Sequence, residues 1–132
     1  MEYSTESKDR RVTQLRKGIL ELAVMGVLYR ERHYGYSLVR ALSESGSVSL
    51  KEGTVYPILA RLDREGLVHS EWVESDQGPP RKYYGLTLSG RQLFDQLSEE
   101  LELLVSLVKQ KQKLNVPVES EYTGKTLLVR KA

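Results

Sequence analysis

The chain has 132 residues, of which 39% are hydrophobic and 29% charged, with a formal net charge of +2 and no cysteine. This length suits one domain with a real core, and the composition is that of an ordinary soluble protein. The longest apolar stretch, Leu22 to Leu28, is far below the roughly 20 residues that a bilayer-spanning helix needs, and the charged segment Met1 to Arg11 does not look like a signal peptide. The absence of cysteine excludes disulfides, thiolate metal sites and cysteine nucleophiles, and is compatible with a cytoplasmic location.

The net charge is small, but the basic residues are unevenly distributed along the chain. Affinity for phosphate depends on local cation density rather than on the sum of charges. The basic clusters are Lys8, Arg10, Arg11, Arg16 and Lys17, then Arg61 and Arg64, then Arg81 and Lys82. These clusters favour a nucleic-acid partner if the fold brings them to one face, and a mixed, solvated surface is the alternative.

The first half of the chain predicts two helices. A helix over residues 14–30 follows from a stripe at helical spacing, made of Leu15, Ile19, Leu22, Ala23 and Gly26 and widened by Leu20, Val24, Val27 and Leu28. A shorter helix over 34–45 points Leu38, Val39 and Leu42 inward and stops at Gly46. Ser47 to Leu50 is a candidate for one short strand.

A third helix is predicted over residues 51–65, with Gly66 as its C-terminal glycine. Its core stripe consists of Val55, Ile58, Leu59 and Leu62. Ser49 with Glu52 matches a capping box, but a start at Ser49 would leave Pro57 deep in the helix, where it removes a hydrogen bond. We therefore predict a start between Lys51 and Thr54, with Pro57 near the first turn.

A β-hairpin and a long helix complete the pattern. Residues 67–74 and 81–86 are rich in Val, Trp and Tyr and flank a turn-rich loop, and alternation predicts that Trp72 and Val68 face the core, as do Tyr84 and Leu86. Thr87 is predicted to cap a helix over 88–114. That helix carries a coiled-coil-like seam, which predicts a second subunit; packing on the chain's own first helix is the alternative, and the two are compatible. The seam consists of Phe94, Leu97, Leu101, Leu104 and Val108.

The order helix, helix, helix, hairpin, helix is that of a winged helix-turn-helix followed by a C-terminal dimerisation helix. The fold class is therefore mainly α with a small β-hairpin. We assign residues 1–13 to an N-terminal arm, 14–87 to a DNA-binding domain, 88–114 to the dimerisation helix and 115–132 to a tail.

At several short stretches the sequence resembles the PadR family of bacterial transcriptional regulators, in its compact subgroup with one long helix after the wing. The stretches include His33-Tyr34-Gly35-Tyr36, Gly53-Thr54-Val55-Tyr56-Pro57, Glu65-Gly66-Leu67-Val68 and Arg81-Lys82-Tyr83-Tyr84. The resemblance implies a homodimeric repressor that binds a palindromic operator in double-stranded DNA and that, in many members, is released by a small molecule at the dimer interface. In members that respond to aromatic drugs, an aromatic residue on the last helix clamps the ligand. This chain has only Phe94 there, a departure that argues against such a response.

In a helix-turn-helix, the second helix of the motif enters the major groove. Arg61 is the candidate for a base edge, because a guanidinium can grip guanine O6 and N7, and Arg64 is the candidate for a phosphate. Lys51 and Thr54 stand nearer the start of that helix. The alternative is that Arg61 and Arg64 pair with acidic residues of the same region, namely Asp63, Glu65 or Glu52.

The remaining candidates for DNA contact each have a structural alternative. Tyr56 hydrogen-bonds a phosphate or packs on the second helix, and Tyr34 and Tyr36 meet phosphate at a helix start or pack under the first helix. Arg81 and Lys82 at the wing tip enter a minor groove, or merely blunt an edge strand. Four basic residues near the N-terminus could reach the DNA backbone as an arm, namely Arg10, Arg11, Arg16 and Lys17. For Arg10 and Arg11 a disordered end is the alternative.

Other classes of function find less support in the sequence. A winged helix can also serve as a protein–protein module without DNA binding, and this alternative stays open. No nucleophile with a plausible base is visible, so we predict no enzyme. His33 and His69 have no third ligand nearby, so we predict no metal and no cofactor. Gly124-Lys125-Thr126 imitates a phosphate loop, but Glu119 stands where the pattern requires glycine.

Overall fold

A computed structural model describes residues 4–45 and 50–110. The predicted class, mainly α with a small β-hairpin, is confirmed. The chain divides into two compact units after Leu97. The elements are α1 (Thr5–Arg30), β1 (His33–Tyr34), α2 (Gly35–Ser45), α3 (Glu52–Arg64), β2 (Val68–Val73), β3 (Arg81–Leu86) and α4 (Leu88–Lys109). No helix within these described residues is long and apolar enough to cross a membrane.

Helix α1 begins at Thr5, well before the predicted start at residue 14. Ser4 caps it, because the Ser4 hydroxyl accepts a hydrogen bond from the Ser7 amide at 3.1 Å. The segment 5–13 has a cap but no continuous apolar stripe, so hydrophobic periodicity could not find it. The part of the predicted arm that the structure describes is therefore helical rather than extended.

The core lies under the C-terminal half of α1. The predicted stripe was wrong at its first two positions, since Leu15 and Ile19 are 67% and 41% exposed. Around the buried part of α1 the core takes one face each of α2, α3 and the sheet, as the patterns of α2 and α3 predicted. Its members are Val24, Met25, Val27, Leu28, Leu38, Leu42, Val55, Ile58, Leu59, Leu62, Val68, Tyr84 and Leu86.

Helix α3 has the predicted start and end. Lys51 is its N-cap residue, without a capping side chain, and Glu52 is its first residue, whereas Ser49 lies outside the described residues. Pro57 lies in the second turn rather than the first, inside the helix. At the C-terminus Gly66 has φ +73°, the Leu67 amide donates to the Leu62 carbonyl at 2.9 Å and the Gly66 amide to the Asp63 carbonyl at 3.0 Å, which is a Schellman motif.

The sheet has three strands in the order β1-β3-β2, all antiparallel. The hairpin of β2 and β3 confirms the prediction, with Val68 opposite Leu86 and Trp72 opposite Lys82. Strand β1, which pairs His33 with Tyr84, was not predicted. The strand proposed at Ser47 to Leu50 falls mostly outside the described residues, as does the predicted stop at Gly46, and Leu50 itself is in no strand.

Thr87 caps α4 as predicted. Its hydroxyl oxygen accepts from the Gly90 amide at 3.0 Å and donates to the Gly66 carbonyl at 2.8 Å, so one side chain joins the start of α4 to the end of α3. Gly90 lies so close to the Leu67 carbonyl that an added Cβ would overlap it. Helix α4 ends at Lys109, and the predicted continuation from 111 to 114 lies outside the described residues.

Candidate nucleic-acid interface

The start of α2, the exposed side of α3 and the β2–β3 hairpin enclose an open concavity of about 310 Å³. We call it the wing cleft. It brings together four residues that the sequence had proposed separately as DNA contacts, together with four others. The lining residues are Tyr34, Gly35, Tyr56, Trp72, Pro80, Arg81, Lys82 and Tyr84.

The inner wall of the cleft depends on Gly35. The hydroxyl and ring edge of Tyr56 occupy the space that a Cβ at Gly35 would need, so only glycine lets α3 approach α2 so closely. Tyr56 is 44% exposed. The two alternatives predicted for it therefore coexist, since its ring packs on the second helix while part of it faces solvent.

The strand and first turn that carry Tyr34 are held by Ser37. The Ser37 hydroxyl oxygen accepts from the Tyr34 amide at 3.1 Å and donates to the Tyr34 carbonyl at 3.0 Å. The ring of Tyr34 contacts Tyr83 at a centroid distance of 5.3 Å and Tyr36 at 6.4 Å. Tyr36 is 54% exposed, which argues against the alternative that it packs under the first helix.

Aromatic rings hold the two wing cations in place. The Arg81 guanidinium carbon lies 4.5 Å from the centroid of the Tyr34 ring, and Lys82 Nζ lies 5.9 Å from Trp72 and 5.7 Å from Tyr84. Contacts of this kind are cation–π interactions, which orient a charge without neutralising it. Both cations therefore keep their capacity to meet an anion.

Trp72 is the residue that sequence reasoning placed wrongly. Alternation placed Trp72 in the core, but Trp72 is 70% exposed. Val68, four residues earlier on the same strand, is buried. The hairpin extends past the helical core, so its outer half is solvated on both faces. The signal available in the sequence was the presence of this single tryptophan on the same hairpin as the basic pair Arg81 and Lys82.

Burial raises the pKa of two tyrosines in the cleft. The pKa of Tyr56 rises through burial first and then through the charge of Glu52. The pKa of Tyr84 rises through burial and then through Asp63. Both hydroxyls are therefore protonated at neutral pH and can donate hydrogen bonds.

Arg61 is engaged by a residue that the sequence did not indicate. Its Nε and Nη2 both donate to Oε2 of Glu21 on α1, at 3.2 and 2.6 Å, and its side chain remains 47% exposed. The expected partners Asp63, Glu65 and Glu52 form no ion pair with it in the part of the chain described. Because the Glu21 carboxylate binds the Nε side of the guanidinium, the terminal nitrogens of Arg61 keep N–H groups for another acceptor.

Three of the four residues on the face of α3 opposite the core have small side chains. At about 100° per residue, the positions farthest from the buried stripe are Gly53, Pro57, Ala60 and Arg64, and all four are exposed. The remaining predicted contacts are exposed as well, at the start of α3 and along α1, namely Lys51, Thr54, Arg16 and Lys17. The first α3 turns thus present little bulk to a partner surface.

Comparison with known proteins decides the family. The model of the transcriptional regulator PadR-like family matches residues 24–96, which is more than half of the 132-residue chain. The chain belongs to the PadR-like family of transcriptional regulators. The resemblance seen in the sequence is confirmed, as is the winged helix-turn-helix class of the fold.

Solved PadR-like structures match most of this regulator. A PadR-like transcription factor from Bacteroides fragilis is 40% identical, with 76% of this chain and 97% of that chain covered and a TM-score of 0.66. A PadR family regulator from Eggerthella lenta is 32% identical, with 83% and 96% covered and a TM-score of 0.72. The transcriptional regulator YqjI of Escherichia coli is 27% identical over 94 residues, which are 70% of this chain and 44% of that protein. The chain thus spans less than half of the length of this curated relative.

Family membership fixes the general class of activity of this PadR-like chain. PadR-like proteins are transcriptional regulators and not enzymes, which confirms the sequence prediction of a regulator. Membership in this family supports DNA as a partner of the chain.

The seam predicted on α4 is divided between two environments. Phe94 packs inside its own chain, at a ring-centroid distance of 5.3 Å from Tyr29 and against Gly26. Leu97, Leu104 and Val108 are 38%, 49% and 71% exposed, and Leu101 is half-buried. The exposed apolar set also includes Leu103, Val105 and Leu107. A run of this size on one helix is typical of an interaction surface.

Proposed function

We propose that the chain is a sequence-specific repressor that binds a palindromic operator as a homodimer. In this proposal α3 enters the major groove, the wing tip reaches the neighbouring minor groove, and α4 joins two copies. The protein would act on DNA in the cytoplasm, with release by a small molecule at the dimer interface.

One observation carries the DNA contact. The wing cleft gathers tyrosines from β1, α3 and β3 and two cations from the wing, so several elements contribute to one surface. None of its eight lining residues is acidic. A lining that is rich in donors and cations suits a phosphate backbone.

The exposed face of α3 supports the docking of that helix. Gly53, Pro57 and Ala60 are small, so the helix backbone can come close to the groove floor. Arg61 and Arg64 flank this strip, and the end of the Arg61 fork can meet guanine O6 and N7 while Glu21 holds its Nε edge.

Pairing through α4 supports a palindromic operator. Two copies related by a twofold axis present two α3 helices, which requires half-sites one helical turn or a multiple apart. The exposed leucines and valines of α4 supply an apolar seam for that pairing.

The decisive test is fluorescence anisotropy of the purified protein on a duplex from its own upstream region. An unrelated duplex of equal length serves as the control, and salt is titrated in both. We expect tight binding to the upstream duplex alone, weakening steeply with salt because each neutralised phosphate releases counterions. A folded dimer without salt-sensitive binding to either duplex would refute the proposal and favour a protein partner.

A further inference from the structure

Trp72 lies at the outer end of an apolar face of the hairpin. It pairs with Lys82 across the two strands, as Val68 pairs with Leu86. Cross-strand partners point to the same face of a sheet, and so do residues two apart on one strand. The face that is buried at Val68 and Leu86 therefore continues outward to Trp72, which is 70% exposed. The indole ring thus extends the core face of the sheet into solvent, where a partner can cover it.

The place of the wing cleft between α3 and the hairpin determines which part of a duplex would enter it. In the proposed docking, α3 lies in a major groove and the wing tip in the neighbouring minor groove. Two adjacent grooves of a duplex are separated by one sugar–phosphate backbone. That backbone strand therefore passes through the wing cleft, whose lining includes Tyr56 from α3 and Trp72 from the hairpin.

The chemistry of the cleft matches both parts of a nucleotide backbone. A deoxyribose presents C–H groups directly beside a charged phosphate, so each nucleotide offers an apolar patch next to an anion. Trp72 and Lys82 offer the complementary pair, with Lys82 Nζ 5.9 Å from the centroid of the Trp72 ring. The indole N–H is a donor only, so it too suits a phosphate oxygen. An aromatic ring beside a cation therefore fits sugar and phosphate together.

We propose that Trp72 is a positioning contact for DNA, whose ring packs against a deoxyribose of the backbone strand in the wing cleft while Lys82 meets the adjacent phosphate. The inference rests on the proposed function and deepens it, because it adds an apolar contact to a docking otherwise made of cations and hydroxyls. Contacts with sugar and phosphate fix the register of a protein on the duplex without reading its sequence. An apolar contact also releases no counterions, so its contribution to affinity is independent of salt.

The emission of Trp72 reports directly on this contact. Trp72 is the only tryptophan of the chain, and acrylamide is a quencher without charge, so the charge of DNA does not repel it. We expect saturating upstream duplex to lower the quenching of Trp72 by acrylamide severalfold. The control moves the fluorophore to α4 by combining Trp72→Phe with Leu88→Trp, since Leu88 is 73% exposed and has no proposed contact with DNA. Quenching of this variant should be the same with and without duplex.

Variants of Trp72 separate an apolar contact from a charged one. Trp72→Ala should weaken binding to the upstream and the unrelated duplex by about tenfold each, the effect of no longer burying one ring face. The salt slope should stay unchanged, whereas Lys82→Ala should reduce it by about 1. Trp72→Phe keeps a ring and should recover most of the affinity. Urea denaturation checks that each variant keeps the stability of the parent.

Two results of the variant series would overturn the proposal. A salt slope reduced by Trp72→Ala as much as by Lys82→Ala would mean that Trp72 acts only by holding the cation. A loss of affinity confined to one base-pair position would mean that the ring reads a base and not the backbone.

The quenching experiment also separates this proposal from the function on which it rests. Tight binding of the upstream duplex with unchanged quenching of Trp72 would refute the contact and leave the DNA-binding regulator standing. Failure of the folded protein to bind either duplex would overturn the proposed function and the Trp72 contact together. Protection of Trp72 by both duplexes, lost in neither high nor low salt once the duplex is bound, is the result that supports a backbone contact.

Discussion

Arg61 has one observed contact, with Glu21, and one proposed contact, with a guanine. Its pair with Glu21 is half-exposed, and pairs of that kind contribute only about 0.2–1 kcal/mol to stability. A guanidinium that grips a guanine contributes about 1–3 kcal/mol of discrimination. The larger effect should therefore appear in DNA binding.

We expect Arg61→Ala to cost about 1–3 kcal/mol of operator affinity and to relax the base preference at one position of each half-site. Binding to a panel of operators with single base-pair changes measures this preference. Arg64→Ala, one turn further along α3, is the matched comparison and should weaken all operators alike. Loss of folding stability in urea with an unchanged base preference would assign Arg61 to the Glu21 pair alone.

Lys82 represents a contact of another kind. As a flexible point charge beside Trp72 and Tyr84, it suits a phosphate, which carries no sequence information. Lys82→Ala should weaken specific and unrelated duplexes by the same factor and reduce the salt slope by about 1. Anisotropy at four or more salt concentrations measures the slope, with Arg30→Ala as the control. A change of base preference would contradict a pure backbone contact.

Single residues also show where sequence reasoning reaches its limit. The buried positions Val55, Ile58 and Leu59 follow directly from helical spacing. Trp72 does not follow from strand alternation, because alternation assigns a face but cannot tell how far the core extends beneath it. The pairing of Glu21 with Arg61 joins residues 40 positions apart, and nothing local in the sequence encodes it.

The joint between the hairpin and α4 depends on glycine. The Leu67 carbonyl occupies the place of a Cβ at Gly90, and a backbone atom cannot move aside as a side-chain end can. Gly90→Ala should therefore lower the free energy of unfolding by about 2 kcal/mol or more. Urea denaturation followed by circular dichroism measures the change.

A matched control for this substitution lies within α1. No atom lies within 4 Å of a Cβ built on Gly18, and glycine inside a helix costs about 0.5–1 kcal/mol relative to alanine. Gly18→Ala should therefore raise the free energy of unfolding by that amount. Equal effects of the two substitutions would mean that helix propensity, and not the approach of Leu67 to Gly90, governs both positions.

Whole elements were predictable where their signals were redundant. Helix α3 has a periodic core stripe and a C-terminal glycine, and its predicted limits agree with the structure. Helix α1 begins nine residues before its predicted start. The prediction missed these first turns because they are polar and are specified by the Ser4 cap. Strand β1 has two residues, too few for any alternation, and its existence depends on pairing with β3.

At the scale of the whole molecule, the charge distribution matters more than its sum. A net charge of +2 is small, yet the wing cleft is lined by two cations and no acid. Four acidic residues lie on α4, which has no proposed contact with DNA, namely Asp95, Glu99, Glu100 and Glu102. A local pair of cations lets a nearly neutral chain present an attractive surface to phosphate.

The exposed seam of α4 predicts that the complete regulator is a dimer. Leu104→Asp would place a carboxylate from each copy in an apolar interface, which costs several kcal/mol per buried charge, so the variant should be monomeric by light scattering at concentrations where the parent is dimeric. Operator affinity should fall about a hundredfold or more, because two linked half-site contacts become independent. Ser106→Asp adds the same charge nearly opposite Leu104 on the helix and should change neither property. A dimeric Leu104→Asp variant would mean that the copies pair through another surface, whereas a monomeric parent with full operator affinity would remove the need for a palindrome.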